Sequence, residues 1–372
     1  MNTSLLVATA LILAIVHFTV PLAYYLYLKR WLNKPWDLKV DYNYTPKITI
    51  ILPTYNEAGL IQGKLDDIYA QDYPRDRIEV LVVDSASSDG TPRLVEEWAG
   101  RHRDLNVKLI VESERRGKAH ALNNALKHAS SDSEIIVVTD ADSWWLQRDA
   151  LRRITAYLSD PRVGAVSCLK KPEREGPGGV EEGYRGFYNT VRLAESKLYS
   201  TPVFHGELEA FRKKLLVEAG GFPLDLGSDD SHTATRIAVR GWRTIIAGDV
   251  VCVEKTPLKE YLWWRVRRAQ HLIQHFMRTL GMIRRAPGGF KSILAVESYL
   301  HLVNPWILLV ALILLVASII AGGRLALIVL LLSMLLLAYK PYRTWITTQA
   351  ILVIAAVRNL YTKDIIWEKQ EK

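Results

Sequence analysis

The chain has 372 residues, with 48 Lys and Arg against 39 Asp and Glu, a formal net charge of +9, and 49% apolar residues. This composition excludes an intrinsically disordered chain, a collagen-like repeat and a disulfide-stapled miniprotein, and the length allows about two domains with a buried core. Its two cysteines, Cys168 and Cys252, stand far apart inside apolar strand-like runs, so they read as buried thiols and call for no oxidising compartment.

From Leu5 to Leu28 there is no Asp, Glu, Lys or Arg, and as a helix this run crosses a hydrocarbon layer of about 30 Å. A cleaved signal peptide would carry positive charge before its apolar run. Here Lys29, Arg30, Lys34 and Lys39 follow it, which predicts a membrane helix over 1–30 with the next segment on the cytoplasmic side.

Residues 31–256 form the predicted cytosolic domain. Apolar β-branched runs alternate with helical stretches: ITIILP, a helix near 58–69, IEVLVVD, a helix near 91–99, VKLIVE, a helix over 118–128, and EIIVVTD. Short buried strands separated by helices of this length indicate a parallel sheet with crossover helices. Ligands bind such sheets beyond the carboxyl ends of the strands, and polar clusters follow each strand there. They are Pro53-Thr54-Tyr55-Asn56-Glu57, Asp84 through Thr91, Glu112 through Gly117, and Asp140-Ala141-Asp142. No G-x-G-x-x-G follows any strand, which disfavours a dinucleotide site. Asp89, just before Thr91, reads equally well as a helix cap. In strand geometry Asp140 and Asp142 point the same way, and paired hard oxygens hold Mg²⁺ or Mn²⁺ while leaving positions open for phosphate oxygens.

Between Thr256 and Gly289, apolar residues from Leu258 to Ile283 recur every three or four positions, one face of a helix. From Pro257 to Lys291 eight basic residues stand against Glu260 alone. This excess adjoins membrane segments and includes Trp263 and Trp264, so the segment 257–298 is predicted to lie on an anionic leaflet, with the tryptophans as interface anchors and no nucleic-acid partner. The apolar block Leu302–Tyr339 is interrupted by Gly322, Gly323 and Arg324, which predicts a transmembrane hairpin over 299–340. Within 341–372, the run Trp345–Val357 is too short to cross unaided and reads as re-entrant or interfacial.

The motifs named so far, together with Arg116-Gly117-Lys118-Ala119-His120-Ala121-Leu122-Asn123, Phe204-His205-Gly206, Gly220-Gly221-Phe222-Pro223, Ser228-Asp229-Asp230 and Gly241-Trp242-Arg243, resemble the inverting family 2 glycosyltransferases. The resemblance covers roughly residues 46–270. It implies a GT-A fold, an α/β nucleotide-diphospho-sugar transferase domain, here flanked by N- and C-terminal transmembrane helices. Carried over by position, Pro53, Thr54, Tyr55, Glu57 and Asp84 would hold the donor, with Lys118 near the nucleoside or diphosphate. Asp140 would meet the ribose or the metal, and Asp142 would bind Mg²⁺ or Mn²⁺. Phe204, His205, Gly206 and Asp229 would contact the acceptor, and Asp230 would be the general base. The alternative for Asp229 and Asp230 is an acidic first helical turn favoured by the helix dipole. Arg265 and Arg268 match two positions of the Q/R-x-x-R-W motif of processive members and would stabilise the leaving diphosphate. Ala269 stands where that motif has Trp, which favours single transfer or short extension. Trp144, Trp145 or Trp264 are the alternative stacking platforms.

The function expected is therefore a multi-pass membrane enzyme that moves a sugar from a nucleotide donor, a UDP-sugar in preference to a GDP-sugar, to a lipid-linked or glycan acceptor at the cytoplasmic face. The rival readings are a processive polysaccharide synthase and a non-catalytic nucleotide-sugar-binding scaffold. A transporter is disfavoured, because the apolar spans lack charged residues and more than half of the chain is α/β.

Overall fold

The computed structural model describes residues 2–257 and 259–363. Leu258 and the tail expected over 364–372 lie outside the described residues. The chain opens with α1 (Thr3–Leu32), and the first half of the α/β body follows as β1 (Ile48–Thr54), α2 (Ile61–Tyr69), β2 (Ile78–Asp84), α3 (Thr91–Arg101), β3 (Asn106–Val111), α4 (Lys118–His128) and β4 (Ile135–Val138). Ile50, Leu52, Val80 and Val82 face one apolar layer, and Ile51, Leu81 and Val83 face the other. Both faces of the sheet are thus covered, which explains why these strands read as continuous apolar runs. Strands β3, β2, β1 and β4 lie parallel in that order, and the register sets Thr54 beside Asp84 at the carboxyl edge.

Beyond β4 the sheet is mixed. The elements are β5 (Ser143–Trp145), α5 (Ala150–Ala156), β6 (Val163–Pro172), α6 (Val180–Leu198), β7 (Glu209–Arg212), α7 (Lys213–Glu218), α8 (Asp229–Val239) and β8 (Arg243–Glu254), giving the full strand order β3-β2-β1-β4-β7-β6-β8-β5. Strand β7 runs antiparallel to β4, with Glu209 opposite Val138. The segment entering β7 therefore arrives where Asp140-Ala141-Asp142 leaves β4. Thr139 Oγ1 donates to the Glu207 carbonyl at 2.7 Å and fixes that meeting. Cys168 and Cys252 are free, buried thiols.

The remaining helices are α9 (Tyr261–Thr279), α10 (Gly288–Leu302), α11 (Asn304–Ile320), α12 (Arg324–Leu336) and α13 (Lys340–Arg358). Among the described residues, two helical runs are long and apolar enough to cross a membrane, Thr3–Leu32 and Gly288–Ile320. The expected break at Gly322-Gly323 is present, with Gly322 at a φ of +88°. The expected hairpin is nevertheless differently built, because its first arm begins at Gly288. Its second arm, α12, has 13 residues, about 20 Å of helix and too short to span alone. Helix α13 follows at 109° to α12. It packs Ile351, Leu352 and Ala355 against Val266, Ala269 and Ile273 of α9, so the stretch Trp345–Val357 docks on the α/β body.

Part of the segment 257–298, expected at a membrane surface, is built into the body. Helix α9 is a wall of the body: Trp264 is 1% exposed, and Trp263, 55% exposed, is the tryptophan of the pair left outside. The apolar run of α1 also makes buried polar contacts. His17 is buried, its Nδ1 lies 3.0 Å from the Asn304 carbonyl, and its Nε2 accepts from Trp345 Nε1 at 2.8 Å.

Candidate active site

A cavity of about 750 Å³ opens at the carboxyl edge of β1, β2 and β4, between the strand-end loops and helices α6, α8, α9 and α13. Its floor carries Pro53, Thr54, Tyr55, Glu57 and Lys118 from the first half of the chain, with Asp140 and Asp142 beside them. Opposite lie Phe204, His205 and Gly206, then Asp229 and Asp230, and finally Arg265 and Arg268. One cavity thus gathers every predicted site residue but Asp84. Asp84 is fully buried behind the wall, where it accepts from Ser87 N at 2.9 Å and Thr54 Oγ1 at 3.3 Å. It shapes the loop and does not face the cavity.

The loops after β1 and β2 are tied to each other. Asn56 N donates to Ser87 Oγ at 2.8 Å, Ser88 N to Asn56 Oδ1 at 2.8 Å, and Glu57 N to Thr91 Oγ1 at 2.8 Å. Asp89 accepts from Thr91 N at 3.1 Å and from Ala58 N at 2.9 Å; Gly90 is the N-cap of α3, so Asp89 is a tie between the two loops. Asn56 and Ala86 adopt φ values of 55° and 58°, a conformation that non-glycine residues hold only when surrounding contacts impose it.

Lys118 Nζ donates to Asp140 Oδ1 at 2.6 Å. Burial opposes its charge, but Asp140 and Asp229 outweigh that and lift its pKa well above the usual lysine value. Burial, offset in part by Lys118, raises Asp140. A Cβ on Gly206 would lie 2.7 Å from Lys118 Nζ and 3.4 Å from Asp140 Oδ2, so a larger residue here would displace the lysine tip from Asp140. Asp229 and Asp230 form the first turn of α8, and the helix-dipole reading is compatible with their place on the cavity wall. Burial pushes the Asp229 carboxyl up to about 6, with Lys118 opposing and Asp230 adding to the rise. Asp230 Oδ1 accepts from Ser231 N at 2.6 Å. Beneath them Glu209 is fully buried, with neither carboxyl oxygen partnered among the described residues, and burial with Asp230 and Asp229 holds it well above the carboxylate range.

Among the described residues no cluster of three His, Cys, Asp or Glu side chains surrounds a metal position. Asp140 and Asp142 alone fit a small divalent ion that takes one or two carboxylates and fills its remaining positions with phosphate oxygens and water.

The arginine side is a lattice that sequence motifs did not disclose. Arg265 Nη1 pairs with Glu181 Oε2 at 3.1 Å, and its guanidinium lies 3.8 Å from the Tyr184 ring centre. Arg268 pairs with Glu254 and, at 3.6 Å, with Glu207, over the Trp264 ring at 4.8 Å. Arg185 bridges Glu181 at 2.7 Å and Glu254 at 3.3 Å, while Lys170 bridges Glu207 and, at 3.2 Å, Glu254. Burial and Arg268 lower the Lys170 pKa despite its carboxylate partners. A faint signal existed in α6, where Glu181, Tyr184, Arg185, Tyr188, Arg192 and Glu195 recur at helical spacing. A polar stripe with that period marks a buried face whose charges must be paired. Of the three tryptophans considered as platforms, Trp264 lines the cavity; Trp144 and Trp145 do not.

Residues 135–353 match the family described as Glycosyl transferase family group 2, and residues 49–220 match Glycosyl transferase family 2. The chain belongs to glycosyltransferase family 2. Its body is a GT-A fold. The mannosyltransferase PcManGT from Pyrobaculum calidifontis, in complex with GDP-Man and Mn²⁺, superposes with a TM-score of 0.89 at 54% identity, over 96% of this chain and 99% of that one. Glycosyltransferase AglE of Haloferax volcanii is 28% identical over 64% of this chain and 77% of its own length. The poly-beta-1,6-N-acetyl-D-glucosamine synthase of Staphylococcus aureus is 27% identical over 67% of this chain, and the match spans 60% of that synthase. Family membership makes the chain a glycosyltransferase that takes a nucleotide-sugar donor. The position of the acidic residues relative to the arginine lattice bears on how.

Proposed function

We propose that this chain transfers mannose from GDP-mannose, with inversion at the anomeric carbon, to a lipid-linked or glycan acceptor at a membrane surface. The observation that carries the reading is that Asp142 and Asp230, from distant parts of the sequence, line one cavity with Lys118 and Arg268. The resemblance by itself favoured a UDP-sugar. The 54%-identical mannosyltransferase in complex with GDP-Man moves the proposal to GDP-mannose.

In this reading Asp142 and Asp140 would hold Mg²⁺ or Mn²⁺, and that ion would offset the charge of the departing diphosphate. The loop 53–57 holds the nucleoside, and Lys118 orients Asp140 and adds positive charge beside the phosphates. Asp230 accepts the proton of the acceptor hydroxyl as its oxygen bonds to the anomeric carbon. The bond from that carbon to the phosphate oxygen breaks on the opposite face, and the nucleoside diphosphate leaves with the electron pair. Arg268, held by Glu254 and Glu207, stabilises the leaving charge from a fixed position. Arg265, bound to Glu181 and stacked on Tyr184, shapes that wall. Phe204, His205, Gly206 and Asp229 line the acceptor side. The apolar helices and the basic residues after α1 support a multi-pass membrane protein with its catalytic body on the cytoplasmic side. Single transfer is favoured over processive extension because Ala269, where processive enzymes place Trp, lines the cavity with no stacking surface.

The test is donor turnover by the full chain in detergent with Mn²⁺, across GDP- and UDP-sugars. GDP-mannose is expected to be consumed fastest, and Asp230→Asn to lower transfer by about 10²- to 10⁴-fold while GDP-mannose still binds. Faster use of a UDP-sugar, or full activity in Asp230→Asn, would overturn the proposal.

A further inference from the structure

We infer that Glu207 is a positioning residue for transfer: it sets the gap between the metal carboxylates and Arg268, the arginine that meets the leaving diphosphate. The inference rests on the transferase reading and deepens it by naming what holds the two ends of the cavity in register. Glu207 stands between Gly206 and β7, lines the cavity and is 3% exposed.

Its main chain belongs to the acidic end. The Glu207 carbonyl accepts from Thr139 Oγ1 at 2.7 Å and from Trp145 Nε1 at 3.2 Å, one donor before Asp140-Ala141-Asp142 and one after it. A carbonyl oxygen has two lone pairs, and these two donors fill them. Ser143 Oγ donates to the Asp140 carbonyl at 3.0 Å and lies 3.4 Å from the same Glu207 oxygen. Buried Lys64 closes the other side of this loop, donating from Nζ to the Ser143 carbonyl at 2.9 Å. Residue 207 and the acidic loop are thus joined into one body.

Its side chain belongs to the basic end. Oε1 pairs with Lys170 and, at 3.6 Å, with Arg268 Nη2, while Arg268 Nη1 is turned to Glu254. Glu254 lies opposite Ser143 in the ladder between β5 and β8, so the far end of the acidic loop leads to the arginine's other partner. The Glu207 carboxylate is buried, where charge interactions are stronger than in water. At 3.6 Å its contact with Arg268 is an ion pair and not a hydrogen bond. It therefore restrains the guanidinium without taking a donor from it. A diphosphate reaching from an ion at Asp142 to Arg268 has to span a gap that this residue fixes. Misplacing a catalytic group by about 1 Å can cost about 10²-fold in rate, and stabilisation of leaving charge depends on donors that are already in place.

The experiment measures steady-state transfer by the full chain in detergent, with Mn²⁺ varied, on the donor that wild type turns over fastest. Wild type, Glu207→Gln, Thr139→Val and the double variant are compared, with rates normalised to the fraction of protein that binds the product nucleotide. Glu207→Gln keeps the volume and the carbonyl; it is expected to lower kcat by about 10- to 100-fold with the donor KM within about threefold, the pattern of a contact that matters in the transition state. Thr139→Val removes the other half of the joint and is expected to lower kcat and to raise the Mn²⁺ concentration for half-maximal rate by at least about threefold. The double variant should fall short of the product of the two kcat losses by at least about threefold, because either change alone already releases the same joint. Glu207→Asp keeps the charge and withdraws it by one methylene, so a kcat loss of about three- to tenfold is expected; if the Gln variant fails to fold, the cycle is run with Asp. Wild-type kcat in the Glu207 variants, or losses that multiply in the double variant, overturn the proposal. A UDP-sugar as the fastest donor would sink the GDP-mannose reading and leave this comparison standing, whereas turnover of no donor by wild type would sink the transferase reading and this inference with it.

Discussion

The two ends of the cavity are oppositely charged, and the basic end is the more deeply buried. At the strand-end side, Asp140, Asp142, Asp229 and Asp230 surround Lys118. On the helical side, Lys170, Arg185, Arg265 and Arg268 meet Glu181, Glu207 and Glu254, and Arg192 meets His205. Each end carries an excess of one sign, but they relieve it differently. The acidic end adjusts by proton uptake, as the raised Asp229 carboxyl shows, and offers oxygens to a cation. The basic end is locked by ion pairs that cannot be lost one at a time without stranding a charge. The acidic end is therefore responsive to pH and metal, and the basic end is a rigid frame.

The sharpest way to break this comparison is Glu254→Gln, which keeps the shape but leaves Lys170, Arg185 and Arg268 short of a shared carboxylate. Stability in chemical denaturation is expected to fall by about 3–5 kcal/mol; an unchanged midpoint would mean the basic end is not a frame. Gly206→Ala acts at the acidic end, where its Cβ pushes the flexible tip of Lys118 away from Asp140. Losing that charged hydrogen bond should weaken GDP-mannose binding by about 1.5–3 kcal/mol, measured calorimetrically, with little change in melting temperature.

The responsive character of the acidic end can be read in the metal-free protein. Asp229 titrates at about 6 when folded, against an ordinary value of 3.8. Between those values the folded state holds the extra proton, so this group's contribution to stability falls as pH rises through that window. Urea denaturation of wild type and Asp229→Asn should show the variant gaining on wild type by about 1–3 kcal/mol from the bottom of the window to the top. A difference independent of pH would remove the distinction between the ends. The smallest effect belongs to an exposed pair on the same helix as the frame. Arg278 meets both Asp225 oxygens, at 2.6 and 3.0 Å, but both side chains are largely exposed. Arg278→Ala should cost less than about 1 kcal/mol, and less again at high salt.

The acidic end was largely legible in the sequence, because its residues sit within a few positions of strand ends and their motifs are contiguous. Pro53 through Glu57, Lys118, Asp140 and Asp142 needed only the alternation of apolar strands and helices to be placed on one edge. Asp84 shows the limit of that reasoning: its position in the motif was right, but its side chain turns behind the wall. The basic end was not legible. Arg265 and Arg268 were found by their motif, yet their partners Glu181, Glu207 and Glu254 lie on three separate elements, and Arg192 belongs to no motif. The amphipathic pattern of α9 was real, but what its apolar face meets is α13 and the body, where a leaflet was expected.

The sequence by itself determined the strand and helix periods, the apolar runs at each end and the acidic loops, since these depend on residues close together in the chain. Tertiary structure alone decided that β7 turns antiparallel and delivers Gly206 to Asp140, that α13 folds back on α9, and which buried cations are paired. Those outcomes follow from burial, where each charge must find a partner across the fold, and the identity of that partner is a property of the packing and of no single segment.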